Sequence, residues 1–216
     1  GWQAEWIRAK IDEATQSATP PDLIVLEIDT VGGRVDSSID IGNAVNETRV
    51  PTVALVRRLA FSGGSIVAAS CMRVYMRDGS TIGGAQAVSA SGSTPEGDYK
   101  EKINSYLRSE FRSNAKRHGH PAAVCQAMTD RDLSVKEIYL LDKDDIIRRH
   151  FASPDDISDI LFDDYRLIAG LVRLKDGSDT LITLDNRQAL EYGLSKATVD
   201  TIDDGLGTQL GLADYR

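Results

Sequence analysis

The sequence offers few of the features that sort a protein quickly. Its 216 residues include only two cysteines, Cys71 and Cys125. Two cannot define a disulfide framework, and Cys71, inside an apolar run, reads as a small buried hydrophobe. Basic charge is in deficit: 25 Lys and Arg stand against 33 Asp and Glu, a net charge of −8. That balance argues against a nucleic-acid-binding surface and against a polybasic membrane patch. Long hydrophobic runs are missing, so no segment reads as membrane-spanning, and no signal peptide is present. The chain opens directly in a helical pattern at Gly1-Trp2-Gln3. It reads as a soluble piece of a longer protein, with any signal or anchor outside its ends. There is no internal repeat or low-complexity tract. The length fits one large domain or a domain with a subdomain.

What is present is an alternation of helix and strand. Ile7, Ile11, Ala14 and Ala18 keep helical spacing over about residues 3–18, and Pro20-Pro21 ends that pattern. Leu23–Ile28 is a continuous β-rich run, as expected of a strand covered on both faces. It leads into Asp29-Thr30-Val31-Gly32-Gly33. A helix at about 36–48, a strand at 52–56, a helix near 65–72 and a short strand at 73–76 follow. Asp78-Gly79 and Gly83-Gly84 mark turns. This order predicts a parallel sheet with crossover helices. Residues 85–98 read as a loop, 99–117 as a long helix capped by Gly119, and Pro121 starts another short helix. Residues 142–165 are rich in Asp and read as helical. Runs at 171–175 and 180–184 flank Asp176-Gly177 and predict a hairpin. Asp185 is a candidate cap for a helix at 187–192.

Two consecutive strands thus end in glycine-bearing corners: Gly32-Gly33 after the first, and Ser62-Gly63-Gly64 after the second. In open α/β sheets, sites form beyond the carboxyl ends of strands. A serine at a strand-to-helix turn can be an exposed nucleophile, or it can merely cap the helix. Gly32-Gly33 can offer a backbone N–H to an oxyanion, or can be a plain turn. A nucleophilic serine needs a base. His118, His120 and His150 are poorly placed for one and read as surface residues. The other choice is a lysine kept neutral by burial, and Lys100 and Lys102 lie where the loop enters the long helix. On a helix these two point about 200° apart, so both cannot face one serine.

Three segments in order, Asp29-Thr30-Val31-Gly32-Gly33, Ala60-Phe61-Ser62-Gly63-Gly64 and Gly79-Ser80-Thr81-Ile82-Gly83, resemble the ClpP/crotonase superfamily. More narrowly they resemble its membrane-associated Ser-Lys peptidases, signal peptide peptidase A and the NfeD-type (stomatin-operon) proteases. The similarity continues through Lys102–Leu107, Thr129–Ser134 and Ala189–Leu194. Each motif is short; the ordered set carries the resemblance. It implies an α/β fold of stacked ββα units with a mostly parallel sheet. It also implies Ser62 as nucleophile, Lys102 as general base, and the Gly33 and Gly63 amides as oxyanion hole. The histidine-using branch carries its histidine about two dozen residues after the serine. Gly83-Gly84-Ala85-Gln86-Ala87 stands there, so the lysine branch is expected.

The resemblance further implies a serine endopeptidase acting on an extended apolar peptide, such as a membrane-protein or signal-peptide segment. It implies a homo-oligomer, and no cofactor or metal. The chain has departures. Val31 replaces a usual proline, and Arg57-Arg58 lead into the serine turn where relatives are apolar or small. An acidic helical and hairpin insertion, 136–184, separates a protease core, 1–135, from a C-terminal return, 185–216. The insertion suits a lid, an oligomer contact or a partner-binding arm. Two other functions share this fold: a catalytically inactive binding or scaffolding module, and a crotonase-type acyl-CoA enzyme. The sequence carries no specific signal for CoA.

Overall fold

The structure, a computed structural model, describes residues 1–86, 97–154, 156–157, 166–176, 180–200 and 206–210. Of 99–100, 166–176 and 208–209 it describes the backbone alone. Two units divide the chain: Gly1–Ala85 with Thr183–Arg216, and Gln86–Ile182.

In the first unit, helix α1 (Trp2–Gln16) buries Ala4 and Ile11 and leaves Trp2 and Trp6 exposed. Strands β1 (Ile24–Thr30) and β2 (Thr52–Phe61) run parallel, joined through helix α2 (Val35–Glu47). Thr52–Val56 is buried residue after residue, as a strand covered on both faces must be. The strand does not stop there, as its sequence suggested. It continues through Arg57 and Arg58 to Phe61. Between Ile28↔Val56 and Thr30↔Ala60 the register slips, with one residue of β1 facing three of β2. This bulge breaks the alternation of faces, so both arginines reach solvent. Arg57 pairs with Glu27 at 3.1 Å and Arg58 with Asp29 at 3.4 Å. Exposed pairs of this kind add little stability, but they meet the charge that made the segment look unlike a strand.

Helix α3 (Gly63–Ser70) follows β2 after one residue and is wholly buried. It packs closely on α2: a Cβ placed on Gly42 would stand 2.7 Å from Ser70 Oγ. Strands β3 (Arg73–Met76) and β4 (Thr81–Gly83) share the edge of β2 opposite β1. The first pairs with Val53–Val56 and the second with Leu59–Phe61, both parallel. One face of this sheet is held by Val53, Leu55, Tyr75, Val199 and Leu206.

In the second unit, helix α4 (Gly97–His118) buries Leu107, Phe111 and Ala115, one residue per turn at i, i+4 spacing. Gly119 (φ +70°) ends it and α5 (Ala122–Ala127) follows. Strand β5 (Ser134–Leu141) then pairs antiparallel with β6 (Ile147–Ala152) on one side and β7 (Arg166–Asp176) on the other. Residues 147–152, read from sequence as helical, are therefore a strand. Their acidic neighbours act as a turn: Asp142 Oδ1 accepts the Asp144 and Ile146 amides, which tightens the β5–β6 hairpin. The hairpin expected around Asp176-Gly177 is likewise replaced. β7 belongs to the β5 sheet, whereas β8 (Thr183–Asp185) pairs antiparallel with β4 in the first unit. Residues 177–179 lie outside the described residues.

The chain closes in the first unit. Asp185 and Gln188 form a reciprocal capping box on helix α6 (Asn186–Glu191), and strand β9 (Ser195–Thr198) adds parallel to β3. Helix α7 (Gly207–Leu210) follows, with Leu210 packed on the core of that sheet.

Leu55 is 1% exposed at the centre of that core. Leu55→Ala should lower unfolding free energy by about 2–5 kcal/mol, read as a lower urea midpoint at unchanged slope.

Candidate active site

Ser62 occupies the single residue between β2 and α3, with φ +50° and ψ −119°. For a residue with a Cβ this backbone is strained, and such strain persists only where the surroundings impose it. The surroundings are visible. The Ser62 amide donates to the Gly83 carbonyl of β4 at 3.0 Å. The Ser62 carbonyl accepts the Ser65 amide at 3.0 Å and the Ser65 hydroxyl at 2.7 Å. The sequence left open whether Ser62 is a helix cap. It stands at the N-cap position, but its side chain makes no capping hydrogen bond. The hydroxyl is therefore not used by the helix, and Ser62 is half-buried rather than sealed. A serine projected from a sharp strand-to-helix turn is the geometry of an exposed nucleophile.

The two glycine corners adjoin. Gly32, at φ +111°, faces the serine so closely that a Cβ there would stand 2.5 Å from Ser62 Cβ and 3.1 Å from its Oγ. No side chain fits, and the backbone conformation itself calls for glycine. A Cβ on Gly63 would lie 3.5 Å from the Gly33 nitrogen and 2.0 Å from Ser38 Oγ. The Gly33 and Gly63 amides thus come from two different corners of the chain to one place. Gly63 begins α3, so its N–H lies ahead of the helical ladder. Gly33 N–H donates to no backbone carbonyl among the described residues. Thr30, Ser38 and Ser65 support this arrangement, and none was singled out from sequence. Thr30 and Ser65 carry recognisable local patterns, a threonine two residues before a glycine turn and a serine three residues after a turn serine.

Lys102 belongs to the second unit, on α4, and is exposed. It lines a shallow surface groove of about 620 Å³ with Asp98, Glu101, Ser105, Tyr106 and Ser109. Glu101 is engaged by Arg108 at 2.7 Å, and Arg108 also holds Asp130 at 2.9 Å. The side chain of Lys100, and the loop at 87–96, lie outside the described residues. His120, expected at the surface, is buried at 6% exposure, with its ring 6.0 Å from that of His118. The chain turns back at Gly119, and His120 N–H donates to the Ala115 carbonyl, which carries the side chain inward. Both cysteines are buried, and burial pushes each thiol up to about 12. Neither suits a thiolate nucleophile. No helix among the described residues is long and apolar enough to cross a membrane.

A mostly parallel sheet whose second strand turns into a helix through a strained serine, with two glycine amides beside it, defines a ClpP/crotonase-like fold. Solved structures agree. The 1510-N membrane-bound stomatin-specific protease, in a lysine-to-alanine mutant complexed with a substrate peptide, superposes with a TM-score of 0.62 at 19% identity. The match covers 94% of this chain and 71% of that one. A ClpP1 mutant from Listeria monocytogenes gives 0.51 at 13% identity, over 94% and 86%. Among curated proteins, the membrane protein NfeD1b of Bacillus subtilis is 31% identical over 117 residues, 54% of this chain and 26% of that protein. The membrane-bound protease PH1510 of Pyrococcus horikoshii is 28% identical over 120 residues, 53% and 27%. The chain thus spans about a quarter of the length of these curated relatives. The family model for the NfeD1b N-terminal domain matches residues 3–148, and the chain belongs to that family.

Gly63→Ala should destabilise the protein by about 1–3 kcal/mol, because its new Cβ meets Ser38 Oγ. Ser38→Ala in the same chain should recover part of that loss, since Ser38 Cβ still stands 3.1 Å away. A double-mutant cycle by urea unfolding measures this, and strict additivity would contradict the contact.

Proposed function

We propose that this domain is a serine endopeptidase in which Ser62 is the nucleophile and Lys102 the general base. The observation that carries the reading is the Ser62 turn: a strained, uncapped serine with the Gly33 and Gly63 amides gathered beside it. Neutral Lys102 takes the Ser62 proton as Oγ attacks the peptide carbonyl carbon. The Gly33 and Gly63 N–H groups stabilise the oxyanion, where one donor is typically worth about 3 kcal/mol. Collapse of the tetrahedral intermediate releases the amine, which takes the proton back from Lys102. Water then hydrolyses the acyl-enzyme by the same sequence. The chemistry needs no cofactor or metal.

The 1510-N relative is a stomatin-specific protease and was captured with a substrate peptide. For this chain we infer a related substrate class, an extended apolar segment of a membrane protein. Lys102 must be neutral to act, and burial is what favours the neutral amine. Its side chain is exposed in the single chain, so we assign its burial to assembly of several copies. That same exposure favours the second reading, a binding module that keeps the fold without the reaction.

Cleavage of an unstructured apolar protein by wild type, Ser62→Ala, Lys102→Ala and Lys100→Ala separates these readings. Loss of at least about 10³-fold in the Ser62 and Lys102 variants alone, with folding intact, is expected. Loss with Lys100→Ala instead keeps the mechanism and moves the base. Activity surviving in Ser62→Ala would sink the nucleophile. A wild type that neither cleaves nor reacts with a fluorophosphonate favours the binding module.

A further inference from the structure

An oxyanion donor is only as good as its direction, and the Gly33 amide belongs to a peptide between two glycines. Such a peptide rotates more readily than any other. Nothing lies within 4 Å of where a Gly33 Cβ would be, so that side of the corner is open. Gly32 stands at φ +111°, and its position is set by what its own polar groups meet. Both meet the same side chain. Gly32 N–H donates to Thr30 Oγ1 at 3.1 Å, and the Thr30 hydroxyl turns its proton to the Gly32 carbonyl at a longer 3.4 Å.

We propose that Thr30 is the positioning residue of the oxyanion hole, and that it works by fixing the Gly32–Gly33 peptide. The inference rests on the peptidase reading above and deepens it. The Gly32 carbonyl and the Gly33 N–H are opposite ends of one trans peptide, so they point in opposite directions. A carbonyl held toward Thr30 turns the Gly33 N–H away from it. The Gly33 nitrogen then lies on the Gly63 side, 3.5 Å from the position of a Gly63 Cβ. The threonine is itself fixed. Its Cγ2 stands 2.6 Å from where a Gly64 Cβ would be, which leaves a β-branched side chain little freedom about χ1. The methyl orients the hydroxyl, the hydroxyl orients the peptide, and the peptide aims the donor. Thr30 touches no reacting atom in this scheme.

The test separates hydroxyl from methyl. Thr30→Val keeps the branched shape and removes the hydroxyl; Thr30→Ser keeps the hydroxyl and removes the methyl. Each is assayed for peptide cleavage, for inhibition by a peptide boronate that forms a tetrahedral adduct, and for melting temperature. Thr30→Val should lose about 10- to 100-fold in kcat, less than removal of a donor outright. Boronate affinity should fall by a similar factor, with KM changed by less than about twofold, the pattern of an interaction made only in the transition state. Thr30→Ser should stay within about threefold of wild type in kcat. Thr30→Ala, which lacks both groups, should match Thr30→Val and stands in if the valine variant folds poorly. Wild-type kcat in Thr30→Val or Thr30→Ala overturns the inference. So does an equal loss in the serine and valine variants, which would mean packing alone. Cleavage retained by Ser62→Ala overturns the peptidase reading itself, and this inference falls with it.

Discussion

The first unit depends on one close approach, that of the Gly32 backbone to Ser62. A single methyl on Gly32 would sit 2.5 Å from the serine's Cβ, so the two corners touch at backbone distance. That contact needs β1 and β2 to finish side by side, yet they cannot finish in step. The bulge in β2 supplies the difference, feeding extra residues past Asp29 so that Ala60 meets Thr30 and Ser62 arrives opposite Gly32. The bulge also hands β2 from β3 to β4 along its far edge, and β4 supplies the Gly83 carbonyl that anchors the Ser62 amide. A register defect in the central strand is thus what sets the serine against its glycines, a recurrent use of bulges beside functional sites.

A second consequence concerns the helix end. The start of α3 would ordinarily recruit a serine hydroxyl for its unpaired amides. Here Ser65, one turn inside, binds the Ser62 carbonyl through both amide and hydroxyl, and the Ser62 hydroxyl is left out of the helix. The turn is held by backbone groups and by a neighbour's side chain. The Ser62 hydroxyl takes no part in holding it. The close packing behind it follows from small residues. Gly42 against Ser70 and Gly64 against Thr30 let α2, α3 and β1 crowd under the turn, where larger side chains would push it away.

Much of this was legible in the sequence, for identifiable reasons. Apolar β-branched runs announced β1 and the first half of β2, and paired glycines announced both corners, because those residue types have few other uses there. The extension of β2 was hidden by Arg57-Arg58, whose pairing with Glu27 and Asp29 depends on a strand distant in sequence. The aspartates of 142–145 read as a helix because their role is local to a turn, two backbone amides on one carboxylate, which composition does not reveal. The turn at Asp176-Gly177 suggested adjacent strands as partners, but β7 and β8 pair in different sheets, and strand choice is a tertiary matter. The two glycine corners, Gly32-Gly33 and Ser62-Gly63, were readable from motif order, and the catalytic roles of Ser62, Gly33 and Gly63 belong to the proposal. Thr30, Ser38 and Ser65 were not readable, since each acts through a contact rather than a composition.

The two halves of the proposed dyad are built on different physical footings. The serine's geometry is complete within the first unit: strand pairing, a buried helix and backbone hydrogen bonds fix it without help. The lysine sits on the exposed face of a helix in the second unit, beside Asp98 and Glu101. Arg108 draws Glu101 toward itself and Asp130, which keeps that carboxylate engaged elsewhere. Asp98, four residues before Lys102, lines the same groove. The proposed nucleophile is thus held by the chain's own strand pairing and hydrogen bonds, whereas the proposed base stands on an exposed helix face.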